Sequence, residues 1–166
     1  MFRSQSAQRL RSVLLSGLAM AGCSSGTDPV DAELGVLREA VEPIESFSAA
    51  QSAGYTLLFE NMCMEDPQAG AMGYHYVDVA LLDATVTVAE PEALIFEGAP
   101  GEERELVAVE YVVPFAAVAE DQSAPTLFGQ AFRKNLTFGL WTLHVWAWKD
   151  NPEGTFADWN PRVSCP

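Results

Sequence analysis

The chain has 166 residues, 49% of them apolar, with 23 acidic residues against nine basic and a formal net charge of −14. That length suits one domain able to bury a real core. So acidic a chain repels polyanions, which excludes nucleic acid as a partner and leaves no basic patch to hold anionic headgroups.

Residues 1–22 read as a targeting segment. Arg3, Arg9 and Arg11 form a positive start without acidic residues, and Val13 to Ala21 form an apolar run broken only by Ser16 and Gly17. The run is too short to span a bilayer and has the length of a signal-peptide core, which disfavours a retained transmembrane anchor. Ala19-Met20-Ala21 offers an ordinary cleavage site. Met20-Ala21-Gly22-Cys23 resembles the bacterial lipobox, with Met20 where leucine is usual, and in that case Cys23 becomes the lipidated first residue. The expected organisation is a lipoprotein signal peptide over 1–22, a lipidated tether over 23–27, and one domain over 28–166. The mature chain keeps six basic residues and all 23 acidic ones, a charge of about −17, so the lipid must supply the membrane attachment. Ser24 after the cysteine fits outer-membrane sorting by analogy with enteric lipoproteins.

Lipidation also resolves an odd cysteine count. With Cys23 acylated, Cys63 and Cys165 remain as a pair expected to form a disulfide in an oxidising compartment. The alternative for Cys63 is a metal thiolate.

Asp28-Pro29 has the form of a helix start, Asp at the cap and Pro in the first turn. Val30, Leu34, Leu37, Val41 and Ile44 follow as one helical stripe. Pro43 should kink or split it, with a second piece from Ile44 to Ala53 and Gly54 as terminator. Strands are expected in YTLLFE (55–60), YHYVDVALL (74–82), ATVTVA (84–89), EALIFEG (92–98), RELVAVEYVVPF (104–115) and LWTLHVWAW (140–148). MEDPQAGAMG (64–73) reads as a loop, Gly98–Arg104 as a hairpin turn, EDQSAPTLFGQ (120–130) as a surface loop, and 149–166 as an ordered tail pinned by Cys165. Helix first and strands after predict an α+β fold, a kinked N-terminal helix packed on an antiparallel sheet.

The stretches AGAMGYHYVD (69–78), PEALIFE (91–97), VAVEYVVPF (107–115), LFGQ (127–130) and LHVWAWKDNPEGTFADWNP (143–161) together resemble a family of uncharacterised bacterial exported proteins and lipoproteins. The resemblance covers the chain from Ala49 onward. It implies one domain and an exported location, and it names no reaction.

The chain contains no P-loop, GxSxG, HExxH or CxxC. Its only histidines, His75 and His144, stand inside apolar strands, and Glu110 interrupts LVAVEYVV on the face of Leu106, Ala108 and Val112. A buried polar group without a partner costs roughly 1–3 kcal/mol, so each needs one. Two imidazoles and a carboxylate make a facial site for iron, zinc or copper, or an acid–base site. The plainer alternative satisfies each group separately, the histidines by backbone or tyrosine and Glu110 by solvent. Met62, Cys63, Met64 and Met72 form a sulfur-rich patch suited to Cu(I) or to filling gaps. Asn135-Leu136-Thr137 matches a glycosylation sequon. Trp141, Trp146, Trp148, Phe156 and Trp159 could hold a small ligand or fill a core. The leading expectation is a lipid-anchored envelope protein binding a small ligand in an aromatic pocket near His75, His144, Tyr76 and Trp146. The alternatives are a metal-dependent enzyme using His75, Glu110 and His144, and a structural envelope protein with no site. Oligomeric state is left open.

Overall fold

The computed structural model describes residues 28–57, 63–99 and 101–166. The signal segment, Cys23, the tether, Met62 and residues 58–60 of YTLLFE lie outside the described residues. The described chain is one α+β unit with an antiparallel sheet, as expected.

Helix α1 spans Pro29–Val41 and opens as the sequence suggests, the Asp28 side chain accepting from the Val30 amide at 2.9 Å. Its stripe buries Leu34, Leu37 and Val41. Pro43 carries no N–H for a helical bond. There the chain tightens into a 3-10 turn over Glu42–Ile44 before α2, Phe47–Ser52, which Ser46 caps. Gly54 ends the segment at φ +110°.

The strands are β1 (Thr56–Leu57), β2 (Cys63–Asp66), β3 (Gly70–Val77), β4 (Ala93–Glu97), β5 (Glu105–Pro114), β6 (Thr126–Leu127), β7 (Gln130–Ala131), β8 (Arg133–Asn135) and β9 (Leu140–Val145). One sheet runs in the order β1-β3-β4-β5-β9-β8, with β2 also pairing β3; β6 and β7 form a separate ribbon. The β4–β5 hairpin turns where Gly98–Arg104 predicted, with a register shift that makes Val107 an extra residue in β5.

Three sequence expectations need correction. MEDPQAGAMG is not a long loop: β2 and β3 reach into it, and the turn shrinks because Asp66 Oδ1 takes the amides of Gln68 and Ala69, each at 2.8 Å. Its glycines serve close approach. A Cβ on Gly70 would lie 2.3 Å from the Asn160 carbonyl, and one on Gly73 2.8 Å from that of Phe96. ATVTVA forms no strand. Asp83 captures the Thr85 amide at 2.6 Å, and Val86 and Val88 pack on the core without a ladder. YHYVDVALL leaves the sheet after Val77, where Asp78 caps a 3-10 turn over Val79–Leu81.

Alternation along the strands gives the sheet two different faces. One carries Tyr74, Tyr76, Leu94, Phe96, Val109, Tyr111, Leu143 and Val145, which form the main core with the α1 stripe. Arg38 of α1 also donates to the Ala147 carbonyl at 3.0 Å. The other face carries Ile95, Ala108 and Trp146 under Val163 of the tail. The tail is fastened at three kinds of contact. Asn160 exchanges backbone bonds with Ala71 at 3.0 and 3.2 Å, Asn151 donates to the Trp159 carbonyl, and Cys165 is bonded to Cys63.

Glu92, just before β4, is 2% exposed and accepts from the Val112 amide at 3.0 Å. Burial pushes its carboxyl up to about 7, opposed by that bond and reinforced by Asp83 and Glu90. The folded state therefore holds a proton that the unfolded chain has released between pH about 4.5 and 7. Stability falls as pH rises through that window and levels above it, by about 3 kcal/mol for a shift of this size. Glu92→Gln should remove this part of the decline. Denaturant midpoints of wild type and variant at pH 5 and pH 8 check it: the variant should gain at pH 8 relative to pH 5.

A candidate metal-binding site

Glu110 of β5 and His144 of β9 are direct cross-strand partners. On its other side Glu110 faces Ala93 of β4, and His75 on β3 faces Ile95, two residues along the same face of β4. Ala93 offers only a methyl group, which leaves space above β4 for the three longer side chains to meet. His75 Nε2 lies 3.4 Å from His144 Nε2. Glu110 Oε2 is 3.6 Å from His75 Nε2, and its Oε1 is 3.6 Å from His144 Nε2. Among the described residues these three form the group of metal-type donors that converges within 4.8 Å.

Those separations are too long for good hydrogen bonds, which lie near 2.7–3.2 Å. Tetrahedral bonds of about 2.1 Å put neighbouring ligands about 3.4 Å apart, the separation of the two Nε2 atoms, and one donor atom from each of the three residues lies within 4.8 Å of the others. The surroundings aim the donors inward. His75 bonds the Gly73 backbone, and its Nε2 faces His144 and Glu110. Thr142 hydrogen-bonds the Glu110 carboxylate. His144 Nδ1 is buried without a hydrogen bond, and Asp158 Oδ1 stands 3.9 Å from it. Asp158 in turn holds Arg133.

Burial dominates the electrostatics. It lowers His75 to about 4 against a weaker opposite pull from the Gly73 bond. It carries His144 well below the usual range, helped by His75 and Arg133. It raises Glu110 to about 8, with Asp158 adding and Thr142 opposing. Both imidazoles are thus neutral ligands at neutral pH, and a cation among them restores the charged form of Glu110.

The donors form the floor of a cavity of about 580 Å³. Its apolar lining is Met64, Met72, Val77, Leu82, Val112 and Leu140 with the exposed Leu136 and Phe138 of the β8–β9 turn, and its polar lining is Arg133, Lys134, Asn135, Thr137, Thr142 and Asp158. The expected aromatic lining is largely elsewhere. Tyr76 faces the main core, where its hydroxyl meets Arg104 and its ring packs edge-on against Phe47 and Phe96. Trp141, Trp148 and Phe156 pack into the same core. Trp146 stacks beside His144 at 6.5 Å and donates to the Ala157 carbonyl at 2.7 Å, outside the cavity lining. The bridge to Cys165 removes Cys63 as a thiolate ligand, while Met64 and Met72 of the sulfur patch do line the cavity.

No protein-family model, no curated protein and no solved structure matches the chain.

The sequence reading did not include Thr142, Arg133 or Asp158. Thr142 was accessible, because it stands two residues from His144 and so shares its strand face. Asp158 gave no signal, since it lies in a tail whose path depends on Asn160 and Cys165. Asp158→Ala should weaken metal binding by about 10–100-fold, the usual effect of losing a carboxylate behind a ligating histidine. Competition with a chelator of known affinity measures this, and an unchanged constant would remove Asp158 from the site.

Proposed function

We propose that this is a lipid-anchored cell-envelope protein that holds a divalent transition-metal ion between His75, Glu110 and His144 and binds a small, largely apolar ligand above it. The observation that carries the reading is the convergence of His75, Glu110 and His144, one donor atom from each within 4.8 Å of the others, on one cavity. Two neutral imidazoles and a carboxylate suit zinc, iron or copper. Three protein ligands, rather than four, leave positions open toward the cavity, and this favours a second reading as a metal-dependent enzyme over a purely structural role. The exported family resemblance, the lipobox-like Met20–Cys23 and an even cysteine pair in the remaining chain support the envelope location. In this arrangement the kinked N-terminal helix covers the sheet face opposite the cavity and leads back to the tether.

The metal reading is tested by titrating the exported protein with Zn(II) or Co(II). One ion per chain is expected, with a Kd of about 0.1 µM or tighter; failure to take up either ion at micromolar concentration defeats it. For the anchor, Cys23→Ser should move the protein from the membrane fraction to a soluble or unprocessed form, because acyl chains supply the attachment. A Cys23→Ser protein that still pellets with membranes at high salt defeats the lipobox reading.

A further inference from the structure

The cavity's chemistry specifies a ligand class, and this inference rests on the metal reading above. A divalent ion with two neutral imidazoles and one carboxylate leaves a net charge of about +1 at the floor. Asp158 and Arg133 offset each other as an ion pair, and Lys134 is engaged by Glu120 and the Trp141 ring. An uncompensated charge inside an apolar cavity is costly. One anionic donor at the open coordination positions cancels it. Beyond the donors, Met64, Met72, Leu82 and Leu140 give the cavity an aliphatic and thioether lining, beside the polar Asn135 and Thr137 and the paired Arg133 and Lys134. The mouth ends in Leu136, 68% exposed, beside Phe138. The apolar path thus runs from the donor triangle to the surface.

We propose that the site takes a lipophilic monoacid, its anionic oxygen head on the metal among His75, Glu110 and His144 and its apolar body along the wall toward Leu136. A cationic amphiphile is repelled by the floor. A polyanion such as a nucleotide overcompensates it.

The test uses the exported protein carrying Cys23→Ser, which dispenses with detergent, loaded with Co(II). Decanoate, hexanoate, acetate, 1-decanol and decylammonium are titrated while the visible Co(II) spectrum and calorimetry are followed. Decanoate should shift the spectrum and bind at least about tenfold tighter than 1-decanol or decylammonium. Affinity should rise about two- to fourfold per added methylene from hexanoate to decanoate. Binding of 1-decanol as tight as decanoate overturns the anionic head, and acetate as tight as decanoate overturns the apolar body. Either result with Co(II) bound leaves the metal reading standing. No Co(II) uptake overturns both.

Discussion

Replacing His144 with alanine should weaken Zn(II) or Co(II) binding by about 100- to 1000-fold. Four-ligand zinc sites are worth about 10–16 kcal/mol, so each ligand carries roughly 3–4 kcal/mol. His144 is the most deeply buried of the three donors and the direct cross-strand partner of Glu110, so no other group can take its place without moving β9. A metal-free measurement separates this from simple loss of packing. Removing the ring leaves Glu110 without a neighbour and costs some stability whether or not a metal binds. The increment due to metal differs between the two explanations. At about a thousand times Kd, a bound ion adds roughly 4 kcal/mol, or about 10 °C in Tm for a domain of this size. Wild type should show that increment and His144→Ala should lose it. If both proteins melt at the same temperature with and without metal, the three side chains are structural partners and the site does not exist.

His75, Glu110 and His144 were legible in the sequence because each breaks an apolar strand. Their meeting was not. It depends on β4 lying between β3 and β5 and on Ala93, an unremarkable residue in EALIFEG, standing where a larger side chain would block the space. Tyr76 was readable and misread. Adjacent strand residues face opposite sides, so a site containing His75 had to leave Tyr76 in the core. Trp146 shares parity with His144, yet β9 ends at Val145 and its indole turns to the tail. The α+β class followed from a clean helical stripe and its capping signals. ATVTVA has strand composition, but the preceding strand offers it no edge: β1 and β2 already occupy the outer edge of β3 and β4 its inner one. Local bonds from Asp83 then decide its path. The disulfide was legible from cysteine parity alone, because lipidation of Cys23 would leave one pair.

Removing that disulfide, by Cys63→Ala with Cys165→Ala, should lower stability by about 4–5 kcal/mol. The bridge spans 102 residues of sequence, and in the chain-entropy model a loop of that length restricts the unfolded ensemble by about this amount. Domains of this kind are stable by roughly 5–15 kcal/mol in total, so the loss removes a large fraction. The folded state should change less than the unfolded one. Asn160 keeps its backbone exchange with Ala71, Val163 stays buried on the smaller core, and Asn160 also donates to the Asp150 carbonyl. The tail therefore stays docked in the native state, and Asp158 stays beside His144. Two measurements distinguish this from a bridge that shapes the site directly. The urea midpoint should fall strongly in the double variant, while its metal affinity should fall by less than about tenfold, the lower bound for loss of a supporting carboxylate. An unchanged midpoint sinks the stability claim. A metal affinity as poor as that of Asp158→Ala shows instead that the Cys63–Cys165 bond, and not the Asn160–Ala71 pairing, positions Asp158.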